Sequence, residues 1–448
     1  MFAQAKGAPN RMPSSHDAEA ATALLQEPVF AALAEEAVRD YIDWADLTTR
    51  PLPPGLSVLG TWRLLTTVRR FAATPFPIPD PKGRTYWYTL TREGLVCIET
   101  IERHCRADSA AHRAILHRHG HRFLVGSRIR ETVAVCRLDG VIIGVREAES
   151  MLMGGRAPRS PAERLLLNAH ALLYELDDVE GEPFSPELLT RLYRRLIDGV
   201  DMSGLERQPV RHGLTDRLEG SPVTPTTRAG FTEQFCAYAN GKTGDPAEPV
   251  VIRAHELLNL ASFRKLSPDF NGIIGRCVFR LFVTRQDYPV LADLPISTLY
   301  QSWAEGHMQS SVVRFSSKEI ARLESYNVSD FTPDVLTYLQ ITVAALDGLL
   351  RSIQRTRRRD AEVRSTLEHD VKLNYRQRSV IAHALADPDA EFRIREHRTA
   401  YNVAYATARA DLLGLVALGY LHQEQRGKAF VFLPEPDLAK RLGGATKE

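Results

Sequence analysis

Absences narrow this 448-residue chain before any motif does. Its five cysteines, Cys97, Cys105, Cys136, Cys236 and Cys277, are odd in number and widely spaced, with no Cys-x-x-Cys pair. That argues against a disulfide framework and against a thiolate zinc site. No apolar run approaches the length of a membrane-spanning helix. Residues 1–16 are polar and rich in Pro and Ser, without the apolar stretch of a secretory leader. The expected setting is therefore a reducing cytoplasm with no membrane partner. Gly-x-Ser-x-Gly, Walker A and His-Glu-x-x-His patterns are missing, as are internal repeats. An excess of one charge is missing too. Lys and Arg number 57 against 55 Asp and Glu, a net charge of +2, which neither favours nor excludes a nucleic acid.

What is present suits a globular chain of two to four domains with real cores, 44% of its residues being apolar. A helix with one apolar stripe is expected over Ala18 to Ile42. Pro51, Pro53, Pro54 and Gly55 then break the chain. The run from Arg84 to Leu90 alternates and is aromatic, as a strand does. From 117 to about 310 the pattern is mostly helical. Ser185 before Pro186 marks a helix start. A near-heptad stripe, Val335, Leu339, Val343, Leu346, Leu350 and Ile353, lies on a helix over Asp330–Ile353. It offers a place for a homodimer or for packing on the core. The basic run Arg355–Arg359 follows. His112, His117, His119 and His121 match no common metal-ligand spacing and sit among arginines, so a solvated helix end is expected there.

Residues 265–276 read Lys-Leu-Ser-Pro-Asp-Phe-Asn-Gly-Ile-Ile-Gly-Arg. They resemble, without a gap, the Fic family signature His-Pro-Phe-x-Asp-Gly-Asn-Gly-Arg-x-x-Arg. Asp269, Asn271, Gly272 and Arg276 fall on its Asp, Asn, second Gly and last Arg. Lys265 falls on the catalytic His, Phe270 on the first Gly and Ile273 on the first Arg. Pro249 to Ala254 upstream, and Arg285-Gln286, Tyr288 and Ile296-Ser297 downstream, keep the family's spacing. The resemblance implies a mainly α fold: a Fic-like helical bundle with a small β-hairpin flap, a small mixed N-terminal module and a C-terminal winged helix-turn-helix. The expected divisions are a tail (1–16), the N-terminal module (17–115), the Fic-like domain (116–310), a helical linker (311–373), the winged helix (374–434) and a tail (435–448).

A Fic-type transfer moves AMP from ATP to a target hydroxyl. It needs a base, a metal-holding acid, backbone donors at a helix start and phosphate-neutralising cations. By the resemblance, Asp269 holds Mg²⁺, and Asn271, Gly272, Arg276 and the flap's Arg207 meet nucleotide phosphate. Lys265 is a poor base at an ordinary lysine value of about 10.4. Ile273 offers neither charge nor donor, and Phe270 restricts backbone that a glycine would free. Many family members also carry an inhibitory helix, [S/T]xxxE[G/N], whose Glu pairs with the last motif Arg. Residues 131–152 resemble that region, with Val135 at the hydroxyl position and Asp139-Gly140 at the Glu-Gly. The expectation is an Asp139–Arg276 ion pair. Gly204, Arg207 and Val210 resemble the family's flap, with Glu206 where an aromatic is usual.

Residues 374–434 read as a winged helix, with a helix over Arg376–Ala386, a short extended piece Phe392–Ile394, a long helix Asn402–Leu418 and two strands about an Arg426-Gly427-Lys428 wing turn. Tyr401, Asn402, Tyr405 and Arg409 at the recognition-helix start, with Arg426 and Lys428 in the wing, are expected to meet DNA bases or phosphates. The expected function is thus a catalytically degenerate Fic-like protein, regulatory, that binds duplex DNA or a protein partner. The alternative is a Fic-type protein adenylyltransferase with altered chemistry, using ATP and Mg²⁺ or another nucleotide.

Overall fold

The computed structural model describes residues 19, 22–79, 83–116, 118–176, 178–208, 225–263, 265–309, 311–316, 318–319, 329–369, 373–386, 390–426, 429–438 and 441–442. They are mainly helical and form two compact units. The first comprises Met1–Arg113 with Leu124–Leu349, and the second Ala114–Phe123 with Leu350–Glu448. No helix among the described residues is long and apolar enough to cross a membrane.

The first unit begins with α1 (Pro28–Arg39), α2 (Trp44–Leu47) and α3 (Val58–Phe71), then the two-residue strands β1 (Thr74–Pro75) and β2 (Trp87–Tyr88), paired antiparallel. α4 (Arg92–Cys105), α5 (Ala110–Leu116), α6 (Arg118–Leu138), α7 (Val145–Leu152), α8 (Pro161–Tyr174) and α9 (Pro186–Ile197) follow, with the end of α5 and the start of α6 (Ala114–Phe123) belonging to the second unit. After α10 (Pro225–Ala239) come α11 (Val250–Phe263), α12 (Asn271–Arg285), α13 (Pro289–Asp293) and α14 (Ile296–Ala304). α15 (Thr332–His369) runs from this unit into the second.

Local chemistry sets the helix starts. Ser57, Thr91, Ser160 and Ser185 each accept a hydrogen bond from the N–H three residues on, which satisfies a donor that helix geometry leaves open. Proline opens α1, α8 and α9, where a missing N–H costs nothing. The single helix expected from Ala18 is divided by a turn at Leu25–Glu27, because Glu27 caps Phe30 N at 2.6 Å and Pro28 restarts the helix. The strand expected over Arg84–Leu90 shortens to Trp87–Tyr88.

α11 and α12 pack tightly, and Gly275 makes that possible. A Cβ there would lie 3.0 Å from Ala261 Cβ and 3.2 Å from Leu258 O. Val335, Leu339 and Leu346 of the near-heptad stripe are all at most 2% exposed, so the chain itself covers them. The start of α15 is tied to the N-terminal helices by a buried ion pair, Arg69–Asp330 at 3.1 Å, with the guanidinium 4.5 Å from the Tyr41 ring centroid and 4.9 Å from that of Trp62. The basic run Arg355–Arg359 does not interrupt α15, as suits arginine's high helix propensity.

The second unit has winged-helix order: α16 (Tyr375–Ala386), α17 (Ile394–Tyr401), α18 (Tyr405–Ala417), β3 (Leu421–Arg426) and β4 (Ala429–Pro434). β3 and β4 are antiparallel, and Phe392 makes an isolated antiparallel bridge to Phe432. Ile381, Leu412, Leu415 and Phe432 lie at its core. Beneath them sits a buried carboxylate, Asp411 of α18. Arg376 Nε donates to it at 2.6 Å and Asn374 Nδ2 at 2.7 Å, while His397 Nε2 lies at 3.1 Å. One side chain thus joins α16, α17 and α18.

Burial pushes the Asp411 carboxyl up, but its bonds with Arg376, Asn374 and His397 outweigh this and hold it below the usual carboxylate range. Its stabilisation is therefore present above the unfolded value of about 3.9 and is lost as pH falls through the lower folded value. Asp411→Ala strands Arg376 and is expected to destabilise the second unit by about 3–5 kcal/mol. Urea unfolding followed by amide exchange in α18 measures this, and an unchanged midpoint would refute the hub.

Candidate functional site

The site forms where α6 ends and α12 begins. α6 closes in a Schellman turn: Gly140 N donates to Arg137 O at 3.0 Å and Val141 N to Cys136 O at 2.9 Å. Gly140 has φ 85°, a left-handed position that glycine takes without a Cβ penalty. The residue just before it, Asp139, thereby projects at the start of α12. Its Oδ1 accepts from Gly272 N at 3.1 Å and its Oδ2 from Ile273 N at 2.8 Å. These are the open donors and the positive end of the helix dipole, where an anion is most stable. A Cβ on Gly272 would lie 3.1 Å from both carboxylate oxygens, so the glycine lets the carboxylate come this close.

The loop leading into α12 is knitted by Asn271. Its Oδ1 accepts from Ser267 N at 2.7 Å, and its Nδ2 donates to Ser267 O at 3.1 Å. Lys265 is exposed and left-handed, with φ 53°. Phe270 caps α12 with φ 55° and ψ 43° and is 1% exposed. Arg207 then closes the front. It donates to Asp269 Oδ1 at 2.8 Å, lies within 3.4 Å of Asp139 O and sits 4.9 Å from the Phe270 ring centroid. Gln208 N donates to Gly140 O at 2.8 Å. Residues 201–208 form no strand, and 209–224, with Val210 and most of the expected flap, lie outside the described residues.

Arg276 is the correction. It is 1% exposed and pairs with Glu131 at 3.1 Å, and its NH2 group donates to Leu294 O at 2.7 Å. The expected Asp139–Arg276 pair is replaced by two separate contacts, because Asp139 is drawn to the helix start while Arg276 lies a turn further on, against α13 and α14. Buried in this way, Arg276 uses Nε and Nη2 on Glu131 and the Leu294 carbonyl, while its Nη1 has no hydrogen-bond partner among the described residues. Glu131 is the residue that sequence reasoning missed. It also accepts from Ser297 N at 2.9 Å and Thr298 N at 3.0 Å, which caps α14. Tyr193 was missed as well. Its hydroxyl is held above the ordinary value by burial and by nearby Asp269.

In the winged helix, Tyr405 is 50% exposed at the first position of α18, and Arg409 is exposed one turn later. Tyr401 instead ends α17, and Asn402 occupies the turn with φ 48°. α18 is therefore shorter at its start than its apolar pattern suggests. Lys428 and the Arg426 side chain lie outside the described residues. Of the histidines, His112 bonds Ala107 O at 2.7 Å. His117 and the side chains of His119 and His121 are not described.

No family model matches the chain, and no curated protein matches it. Among solved structures it is similar to a Fic family protein from Desulfovibrio desulfuricans G20, at 16% identity, covering 78% of this chain and 98% of that one with a TM-score of 0.46. A likeness at that level transfers no residue role.

Burial pushes the Asp139 carboxyl up to about 6, while its two backbone hydrogen bonds and Arg207 pull the other way without cancelling it. The folded state thus holds a proton that the unfolded chain releases near 3.9. Stability is expected to fall as pH rises from about 4 to about 6. Asp139→Asn removes this slope, and melting curves across that range read it. An equal slope in wild type and variant would exclude Asp139 as its source.

Proposed function

We propose that this chain is a Fic-like protein that no longer transfers nucleotides and acts as a regulator through its winged-helix end, on duplex DNA. The observation behind the loss of transfer is that the site neutralises itself. The backbone donors that would hold phosphate are bonded to Asp139. The acid that would hold Mg²⁺ is paired with Arg207 at 2.8 Å. Ile273, at the family's first arginine, is 0% exposed. The residues present therefore do not fit ATP with Mg²⁺. The DNA half rests on the winged-helix order and on the exposed Arg395, Arg398 and Arg409 on α17 and α18, which suit phosphates and base edges. A dimer on two half-sites would supply affinity that the chain's small net charge does not.

Purified wild type is expected to place no AMP from ATP on itself or on lysate proteins. It is also expected to give no heat with ATP, GTP or CDP-linked ligands and Mg²⁺. Strong labelling at neutral pH would overturn the loss of transfer and favour the altered-transferase alternative. A Lys265→His, Ile273→Arg, Asp139→Gly triple variant is the matched control for a restored site.

A further inference from the structure

We propose that the outward face of α18 reads thymine 5-methyl groups together with a single guanine. The inference rests on the DNA-binding reading above and gives it a sequence class.

The first two turns of α18 expose Tyr405, Ala406, Arg409 and Ala410. Their spacing of one, four and five residues puts them on one helical face. Ala408, Asp411 and Leu412 turn inward. The exposed face therefore carries one cation, one phenol and two methyl groups, with no Asn, Gln, Lys or Ser. Asn402 is held in the turn before the helix. Gln377 of α16 is spent on the Asp411 carbonyl, to which its Nε2 donates at 3.1 Å.

The major groove gives each of these groups a different reading. Arginine pairs bidentately with guanine O6 and N7, a small apolar side chain meets the thymine methyl, and adenine is normally read by Asn or Gln. With no carboxamide on its face, α18 has no means of pairing adenine directly. Its alanines end at Cβ, so the helix can approach the groove floor closely enough for methyl contact. Tyr405 stands at the helix start, where a hydroxyl reaches phosphate.

The charge around this face is complementary to a duplex. α17 exposes Arg395 and Arg398 against Glu396. The one acid on α18, Asp411, is buried and neutralised by Arg376 at 2.6 Å, so it does not repel phosphate.

The test begins with selection of preferred duplexes by the full chain. Each thymine of the selected half-site is then replaced by deoxyuridine, which deletes only the methyl group. Loss of a contacted methyl is expected to weaken binding about fourfold, at one or two positions beside a guanine. Replacing that guanine by 7-deazaguanine is expected to weaken wild type but not Arg409→Ala. If deoxyuridine duplexes bind as well as thymine duplexes at every position, the proposal falls while DNA binding stands. If wild type binds no duplex at about 50 mM salt, where phosphate contacts are strong, the DNA reading itself fails and the proposal falls with it.

Discussion

The Asp139 carboxylate is the interaction on which the site depends. It lies between the end of α6 and the start of α12, two helix ends with unsatisfied backbone groups. α6 meets its own needs through the turn at Gly140. α12 has no capping side chain of its own, because Phe270 stands at its cap. Asp139 supplies the missing acceptor from a residue more than a hundred positions away. Once it is there, its two oxygens occupy the Gly272 and Ile273 N–H groups, and burial raises its carboxyl to about 6. Arg207 then completes the balance. It neutralises Asp269 and closes over Phe270, so neither charge is left seeking a ligand.

The helix start within 265–276 was legible because a close backbone approach leaves its mark on residue type. Gly272 shows why. Its neighbour is the Asp139 carboxylate, whose close approach to the helix start crowds out a Cβ. What spacing does not disclose is which side of a helix a charge faces. Arg276 and Asp139 keep positions that suggest a pair, but Arg276 is committed to Glu131 and the Leu294 carbonyl. Glu131 belongs to no motif. Its role comes from the α14 start, which no local pattern near residue 131 reports.

The winged helix was legible for a different reason. Its order follows from turns and alternation, which are local. The misplaced boundary at Asn402 is instructive. Tyr401, Val403 and Tyr405 continue an apolar pattern, yet Asn402 takes a left-handed conformation that asparagine tolerates better than most residues. An asparagine after a helix-forming run is thus a stop signal that periodicity alone overrides. Asp411 escaped for a non-local reason: its partners lie 14 to 37 residues away on two other elements.

The backbone between α11 and α12 adds a further step. Lys265 and Phe270 both hold left-handed conformations, with φ 53° and 55°. Such a conformation costs roughly 1–2 kcal/mol for a residue with a side chain. A glycine at position 270 would adopt it freely. Here two gains offset the cost: the ring is almost wholly buried, and a guanidinium rests against it. The loop therefore keeps a glycine's path without the glycine, under forces that come from Arg207, Asp139 and the core. Those forces are all internal to the chain. The same contacts give a fixed connection between α6, the 207–208 segment and α12.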